Sequence, residues 1–348
     1  MIKTKFDSFC CNGFAEGCRL CVQGKKLVLF VTGKCSRACA YCSLSNKRKN
    51  KDIIWANERE CKSIKDVLEE ARASNSKGAG ITGGDPLIVL NRTIKLTRAL
   101  KTNFGKSFHL HIYLPTNLVT KEKLRKLKKA GVDEVRFHPS LSKEICEEIS
   151  KIKLSKKFWP RKNIGIEVPM FPDKKEDLLN FIIQIHPFIG FVNLNELEIS
   201  DTNFNYIKSR YKLNEDTYTI KGSKEAGLWI LKQIEKKQLG LKVHLCTART
   251  KNLFQYKNRI KLRKIMPFGY KTEQGSVRYF IIDLKDYKKR EINDIVRKFK
   301  GSSFLDIDRE RIILLESSVK KALKQGYKVE RVEELPTFDA IELERETI

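Results

Sequence analysis

Cys35, Cys39 and Cys42 stand in the run Gly33-Lys34-Cys35-Ser36-Arg37-Ala38-Cys39-Ala40-Tyr41-Cys42. Three thiolates at Cys-x3-Cys-x2-Cys spacing on one short loop can hold three irons of a cubane cluster. The fourth iron then keeps an open position, as catalysis requires. The alternative is zinc, completed by a fourth ligand elsewhere in the chain. Two features weigh against zinc: the aromatic Tyr41 directly before the third cysteine, and the placement of the loop just after a β-rich run. A second set lies upstream: Cys10, Cys11, Cys18 and Cys21. Gly17-Cys18-Arg19-Leu20-Cys21 has the two-residue spacing of a metal knuckle. This set reads as a second site, either structural zinc or an auxiliary iron–sulfur cluster. Adjacent Cys10 and Cys11 are awkward as joint ligands, so a three-cysteine site stays open. Cys61, Cys146 and Cys246 read as ordinary thiols.

The elements that must position these groups are legible in the pattern. From residue 26 to 248, short β-rich runs alternate with amphipathic helical stretches. The expected strands are Lys26–Thr32, Gly78–Thr82, His109–Leu114, Glu134–Pro139, Gly165–Met170, Phe191–Glu198 and Lys242–Cys246. Helical patterns separate them, among them Lys121–Ala130 with Gly131 as a left-handed cap, Glu144–Ile152, Lys175–Ile185 and Ser223–Lys237. Such alternation predicts βαβ units and a parallel sheet, an α/β partial or complete (β/α) barrel with its chemistry at the C-terminal strand ends. Residues 1–25 form a cysteine-rich metal-binding lead-in. Residues 249–348 form a basic segment (Arg249–Lys264) and a small α+β accessory domain, with a strand expected over Phe304–Leu315.

Gly83-Gly84-Asp85-Pro86 follows the second strand, one βα unit after the cysteine loop. With that loop, the chain resembles the radical S-adenosylmethionine (SAM) superfamily across roughly residues 26–248. Within it, the sequence looks like an archaeal-type group related to pyruvate formate-lyase activating enzymes. The segments that carry this likeness include Leu27–Gly33, Asn57-Glu58-Arg59, Ile81–Leu87, Arg136-Phe137-His138-Pro139 and Asn193–Glu198. The resemblance implies a TIM-barrel-like, oxygen-sensitive enzyme that holds a [4Fe-4S] cluster on Cys35, Cys39 and Cys42. It implies reductive cleavage of SAM to a 5′-deoxyadenosyl radical, which takes a hydrogen atom from the substrate. Gly83, Gly84, Asp85 and Pro86 stand where the family holds the methionine part of SAM, with Asp in place of the usual Glu. Both glycines would allow backbone close to a ligand.

Several further residues are candidates for the pocket. Strand alternation puts His109, His111 and Tyr113 on one face, toward either the lumen or the core. His138 ends the fourth strand, and Arg136 shares its face, ready for a carboxylate or phosphate. Glu167 is a charge inside an apolar strand, suited to ribose hydroxyls. Asn193 and Asn195 are expected to face the lumen, and Asn57-Glu58-Arg59 to line the opening or start a helix.

Lys+Arg number 70 against 42 Asp+Glu, a net +28. Hydrophobic residues make up 41%, enough for a sizeable core, and no run of 18 apolar residues predicts a membrane span. No secretory signal is visible, so a cytoplasmic chain with reduced thiols is expected. The charge reads either as a lysine-rich solvated surface or as a surface for an anionic partner. Basic runs at Lys47–Lys51, Lys121–Lys129, Lys151–Lys162 and Arg249–Lys264, the last with Phe254 and Tyr256, favour RNA, and with it tRNA or rRNA modification. The alternative is a protein-directed enzyme, a glycyl-radical activase or peptide modifier. A one-electron donor such as ferredoxin or flavodoxin is implied, and no membrane partner.

Overall fold

Alternating side chains decide the architecture. In Glu134-Val135-Arg136-Phe137-His138, Val135 and Phe137 are fully buried on one face, and the three polar residues share the other. The computed structural model, which describes all residues except 141–144 and 216–217, shows that this pattern bends a parallel sheet around a polar lumen. Glu144, the expected start of one helix, lies outside the described residues. Two compact units are present: residues 1–72 with 76–256, and residues 73–75 with 257–348.

The first unit contains strands β1 (Ile2–Lys3), β2 (Phe9–Cys11), β3 (Lys26–Phe30), β4 (Ile54–Ala56), β5 (Arg59–Cys61), β6 (Gly78–Thr82), β7 (His109–Pro115), β8 (Glu134–His138), β9 (Ile164–Met170), β10 (Phe191–Glu196) and β11 (Lys242–Cys246). Their order is β1-β2-β11-β10-β9-β8-β7-β6-β3-β4-β5. From β3 through β11 this path is parallel. The barrel is partial, not complete: β3 and β11 do not pair with each other. Each is flanked instead by an antiparallel strand, β4 on β3 and β2 on β11.

The helices α1 (Glu16–Val22), α2 (Ile64–Ala73), α3 (Leu90–Phe104), α4 (Lys121–Ala130), α5 (Ile145–Leu154), α6 (Lys175–Ile185), α7 (Phe204–Lys208) and α8 (Ser223–Lys236) complete the unit. One apolar core joins the outer face of the sheet to residues of α2–α6 and α8, among them Val67, Leu100, Leu127, Ile152, Ile182 and Ile230. Thr120 caps α4 by accepting from the Lys123 amide at 3.2 Å, and Gly131 ends it at φ +111°. Helix α1 has a different place. Gly17 donates its amide to Glu134 Oε2 at 3.2 Å, and the Cys18 thiol donates to Asn193 Oδ1 at 3.4 Å. The helix therefore fills the lumen at the N-terminal half of the strands.

The second unit is built on α9 (Lys257–Leu262), β12 (Tyr270–Lys271), β13 (Val277–Asp283), α10 (Lys289–Lys298), β14 (Ser303–Asp306), β15 (Arg311–Leu314), α11 (Val319–Lys324), β16 (Glu330–Glu334) and β17 (Glu342–Thr347). Its antiparallel sheet runs β14-β15-β13-β16-β17, with β12 also on β13. The expected single strand over Phe304–Leu315 is a hairpin. A 3-10 turn at Ile307–Arg309 and Glu310 at φ +48° fold β14 back on β15. One face packs Ile282, Leu284, Ile312 and Leu314 on Ile295, Phe299, Val319 and Ala322.

Other expectations need correction. Asn57-Glu58-Arg59 is neither a helix start nor a cavity wall. Asn57, at φ +51°, turns the β4–β5 hairpin, and its side chain accepts from Val28 N and donates to Glu70. The basic stretch Arg249–Lys264 divides between the two units. A π-helical turn spans Thr250–Tyr256, and α9 begins the other unit. Arg249 pairs with Asp7 at 2.6 Å, Lys251 with Glu198 at 2.5 Å, and Phe254 packs edge-on to Phe6. No helix among the described residues is long and apolar enough to cross a membrane.

Candidate active site

The loop after β3 lies over the C-terminal ends of the strands. A cavity of about 780 Å³ opens there, lined by Cys35, Cys39 and Cys42 with Tyr41, Gly83, Gly84, His138, Glu167 and Asn195. Three of the expected SAM-contacting strand residues thus share one wall with the cysteine loop. Tyr41 Oη and His138 Nε2 are 3.0 Å apart, and His138 Nδ1 lies 3.0 Å from the Glu167 carbonyl. That carbonyl can only accept, so Nδ1 carries the proton, and Nε2 is left to accept from the tyrosine. Burial lowers the pKa of His138 and keeps the ring neutral. Asn195 donates to Glu167 Oε1 at 3.0 Å, and Arg136 grips Glu167 Oε2 at 2.6 Å. A carboxylate fixed on both oxygens presents a set orientation to the cavity.

Four expected contacts stand behind this wall. Arg136 is 2% exposed and spent on Glu134 and Glu167. Asn193 accepts from Cys18 and from His244 Nδ1 at 2.7 Å, beneath the cavity. Pro86 is buried, its carbonyl accepting from Thr93 at 2.9 Å. Asp85 is fully buried; it accepts from Ser36 Oγ at 2.6 Å and from the Leu87 amide at 2.9 Å. Its carboxylate therefore braces the cysteine loop. The two glycines serve the same packing. A Cβ on Gly84 would sit 2.2 Å from the Lys34 carbonyl oxygen, and one on Gly83 2.5 Å from that of Thr32. The close approach they permit is to the loop backbone.

His109, His111 and Tyr113 do face the lumen. Tyr113 reaches the cavity; His111 is buried away from it, and His109 is partly exposed and does not line it. Lys26 Nζ lies 3.0 Å from His109 Nδ1 and donates to the Ala79 carbonyl at 3.0 Å. Burial brings the Lys26 pKa down to about 7 and that of His109 to about 3.

The N-terminal cysteines divide between strand β2 and helix α1. Strand alternation sends Cys10 and Cys11 to opposite faces of β2, Cys11 joining the main core. Cys18 packs with Ala15 and Phe191 in the lumen, where burial pushes its thiol pKa up. The second metal site expected on the N-terminal cysteines is not shown by this arrangement. Among the described residues no three His, Cys, Asp or Glu side chains are placed to hold a single metal ion. Cys35, Cys39 and Cys42 all line the one cavity and are partly exposed there, as donors to a cluster would have to be. The Arg37 amide also points at Cys35 Sγ, at 3.4 Å, as a donor to a cluster-bound sulfur would.

The pattern missed residues that the fold brings to this loop. Arg37 reaches Glu148, Thr116 and the His138 carbonyl. Thr202 Oγ1 contacts the Cys42 carbonyl at 2.7 Å, and Asn203 donates to that of Tyr41 at 3.2 Å. Lys251 and Glu198 pair at the rim. The one available signal was an arginine set inside a cysteine loop.

The family model for the radical SAM superfamily matches residues 29–159. A Methanocaldococcus jannaschii protein provisionally named a glycyl-radical enzyme activating enzyme is 36% identical over 95% of this chain and 92% of its own length. A biotin synthase of Wolinella succinogenes is 30% identical over 34% of this chain and 42% of its own. Among solved structures, coproporphyrinogen III oxidase of Escherichia coli, titled a radical SAM enzyme, aligns with 65% of this chain and 57% of its own. Its identity is 12% and its TM-score 0.38, too low to carry an argument. Likeness to the archaeal relative over almost the whole chain, with the family model spanning the cysteine loop, establishes that the chain belongs to the radical SAM superfamily of enzymes and to its group related to pyruvate formate-lyase activases.

Proposed function

We propose that this enzyme acts on a protein, as a glycyl-radical activase, with Cys35, Cys39 and Cys42 holding a [4Fe-4S] cluster and SAM lying in the cavity beside them. The observation that carries this reading is the archaeal relative, matched almost end to end, whose name describes glycyl-radical activation. It favours the protein-directed alternative over RNA modification.

When bound, the reduced cluster and SAM together supply a 5′-deoxyadenosyl radical, chemistry that belongs to the cofactors. The chain's own residues position and enclose. Gly83 and Gly84 bring backbone to the cavity edge, and Glu167, fixed by Arg136 and Asn195, offers an oriented carboxylate to hydroxyl or ammonium groups. Neutral His138 takes the Tyr41 hydroxyl proton in a hydrogen bond and so fixes the aromatic ring beside Cys42. Helix α1 blocks the lumen from below, so solvent and substrate share the upper opening. An electron donor such as ferredoxin or flavodoxin completes the requirement.

The test is isotopic. Anaerobically reconstituted protein with reductant and SAM is given glycine-containing peptides deuterated at the glycine α-carbon or, separately, total tRNA. Deuterium appearing in 5′-deoxyadenosine from the peptides supports the reading. New modified nucleosides without deuterium transfer would transfer the assignment to RNA.

A further inference from the structure

The cysteine loop carries a buried charge of its own. Arg37 lies between Cys35 and Cys39, and its side chain is only 9% exposed. Its guanidinium meets four acceptors. Nη1 donates to the His138 carbonyl at 2.5 Å, Nη2 to Thr116 Oγ1 at 2.6 Å and to Glu148 Oε1 at 2.7 Å, and Nε to Asn117 Oδ1. These acceptors come from the chain just after β7, from the end of β8 and from α5. Glu148 is buried as well, and accepts further from Thr116, and from the Ser140 amide and hydroxyl at 3.2 and 2.9 Å.

Buried ion pairs are poor sources of net stability, because desolvation offsets much of their attraction. What the planar fork supplies is direction: it ties three distant segments to one residue of the loop. That residue's amide is the donor aimed at Cys35 Sγ. On the far side of the loop, Thr202 and Asn203 hold the carbonyls of Tyr41, Cys42 and Leu44. The loop is thus gripped at two points, one on each side of Cys39.

We infer that Arg37, held by Glu148, is a positioning residue for the cluster. It fixes the spacing of Cys35 and Cys39 and the amide hydrogen bond to the Cys35 sulfur, and so sets how tightly the iron is retained and at what potential it is reduced. The inference rests on the reading of the three cysteines as cluster ligands.

The test compares the parent with Arg37→Lys, Glu148→Gln and the double variant Arg37→Gln/Glu148→Gln after anaerobic reconstitution. Iron per chain, iron loss to a chelator, the electron paramagnetic resonance spectrum and midpoint potential of the reduced cluster, and melting of the metal-free protein are measured. Arg37→Lys keeps the charge and loses the fork, and should release iron about tenfold faster, the scale for outer-shell partners. Glu148→Gln leaves the guanidinium charge less compensated, which favours the more negative reduced cluster and raises the potential. The double variant removes the charge imbalance, so it should melt near the parent yet keep the fast iron loss and altered spectrum. Parental iron retention, spectrum and potential in Arg37→Lys and the double variant would overturn the inference. A parent that takes up no iron would instead overturn the cluster reading, and the clamp with it.

Discussion

Asp85 shows how a single residue can occupy a motif position and do something other than the motif suggests. Its carboxylate is turned from the cavity onto Ser36 and the Leu87 amide, so it acts on the cysteine loop. Replacement by Ala leaves the buried Leu87 amide without its acceptor. The expected cost is about 1–3 kcal/mol in denaturant unfolding, with looser iron retention; unchanged values in both would show that the brace is idle. Lys26 makes a different prediction. It is 4% exposed, and burial holds its pKa at about 7, against about 10.4 in an unfolded chain. Between those values the unfolded state binds more protons, so this group makes stability rise with pH across the window from about 7 to 10. Below pH 7 it is charged in both states, and its contribution to the slope vanishes. Lys26→Met should flatten the slope by up to about 1.4 kcal/mol per pH unit within the window, and not below it. Urea unfolding at a series of pH values decides the matter, and parallel curves for the two proteins would refute it.

The elements divide into those with a readable period and those without. Every central strand and its helix were legible, because each strand places apolar residues toward the helix layer at every second position, as in Val135 and Phe137. Helix α1 was not. It has seven residues, and Gly17, Cys18, Leu20 and Val22 are all buried, so no amphipathic stripe marks it. The metal-knuckle spacing of its Cys18 and Cys21 says nothing of a helix. Barrel closure was equally hidden, since it depends on whether β3 and β11 pair, and local sequence does not state that. The clamps on the cysteine loop escaped for the same reason: Arg37 and Glu148 are 111 residues apart. Packing of α1 is testable at Gly17. A Cβ there would lie 2.4 Å from Arg136 Nη2 and 2.6 Å from His111 Nδ1, both side chains boxed in by the lumen. Gly17→Ala should cost about 1–3 kcal/mol through overpacking. Iron loading at the opposite end of the lumen should persist. Parental stability in urea would mean that α1 does not plug the barrel.

At the scale of the whole molecule, the charge has a location. Residues 257–348 hold 22 Lys and Arg against 16 Asp and Glu, a net +6, so most of the +28 belongs to the unit with the cysteine loop. The accessory unit is therefore not the electrostatic centre that the basic run at its border suggests. Its internal economy points to a separate fold: an apolar core of its own, and a buried Arg311 bound to Glu334 at 2.8 and 3.0 Å and to Asp306 at 2.9 Å. A chain with two cores need not unfold in one step. Ile312, fully buried between β15 and its helices, discriminates. Its replacement by Ala removes three methylene equivalents from a packed face, at a cost of about 2–5 kcal/mol. If the units melt separately, calorimetry should show one transition moving down and the other in place, with iron content and retention at the parental level. A single transition displaced as a whole, with iron lost in step, would show instead that the second core is a condition for the first.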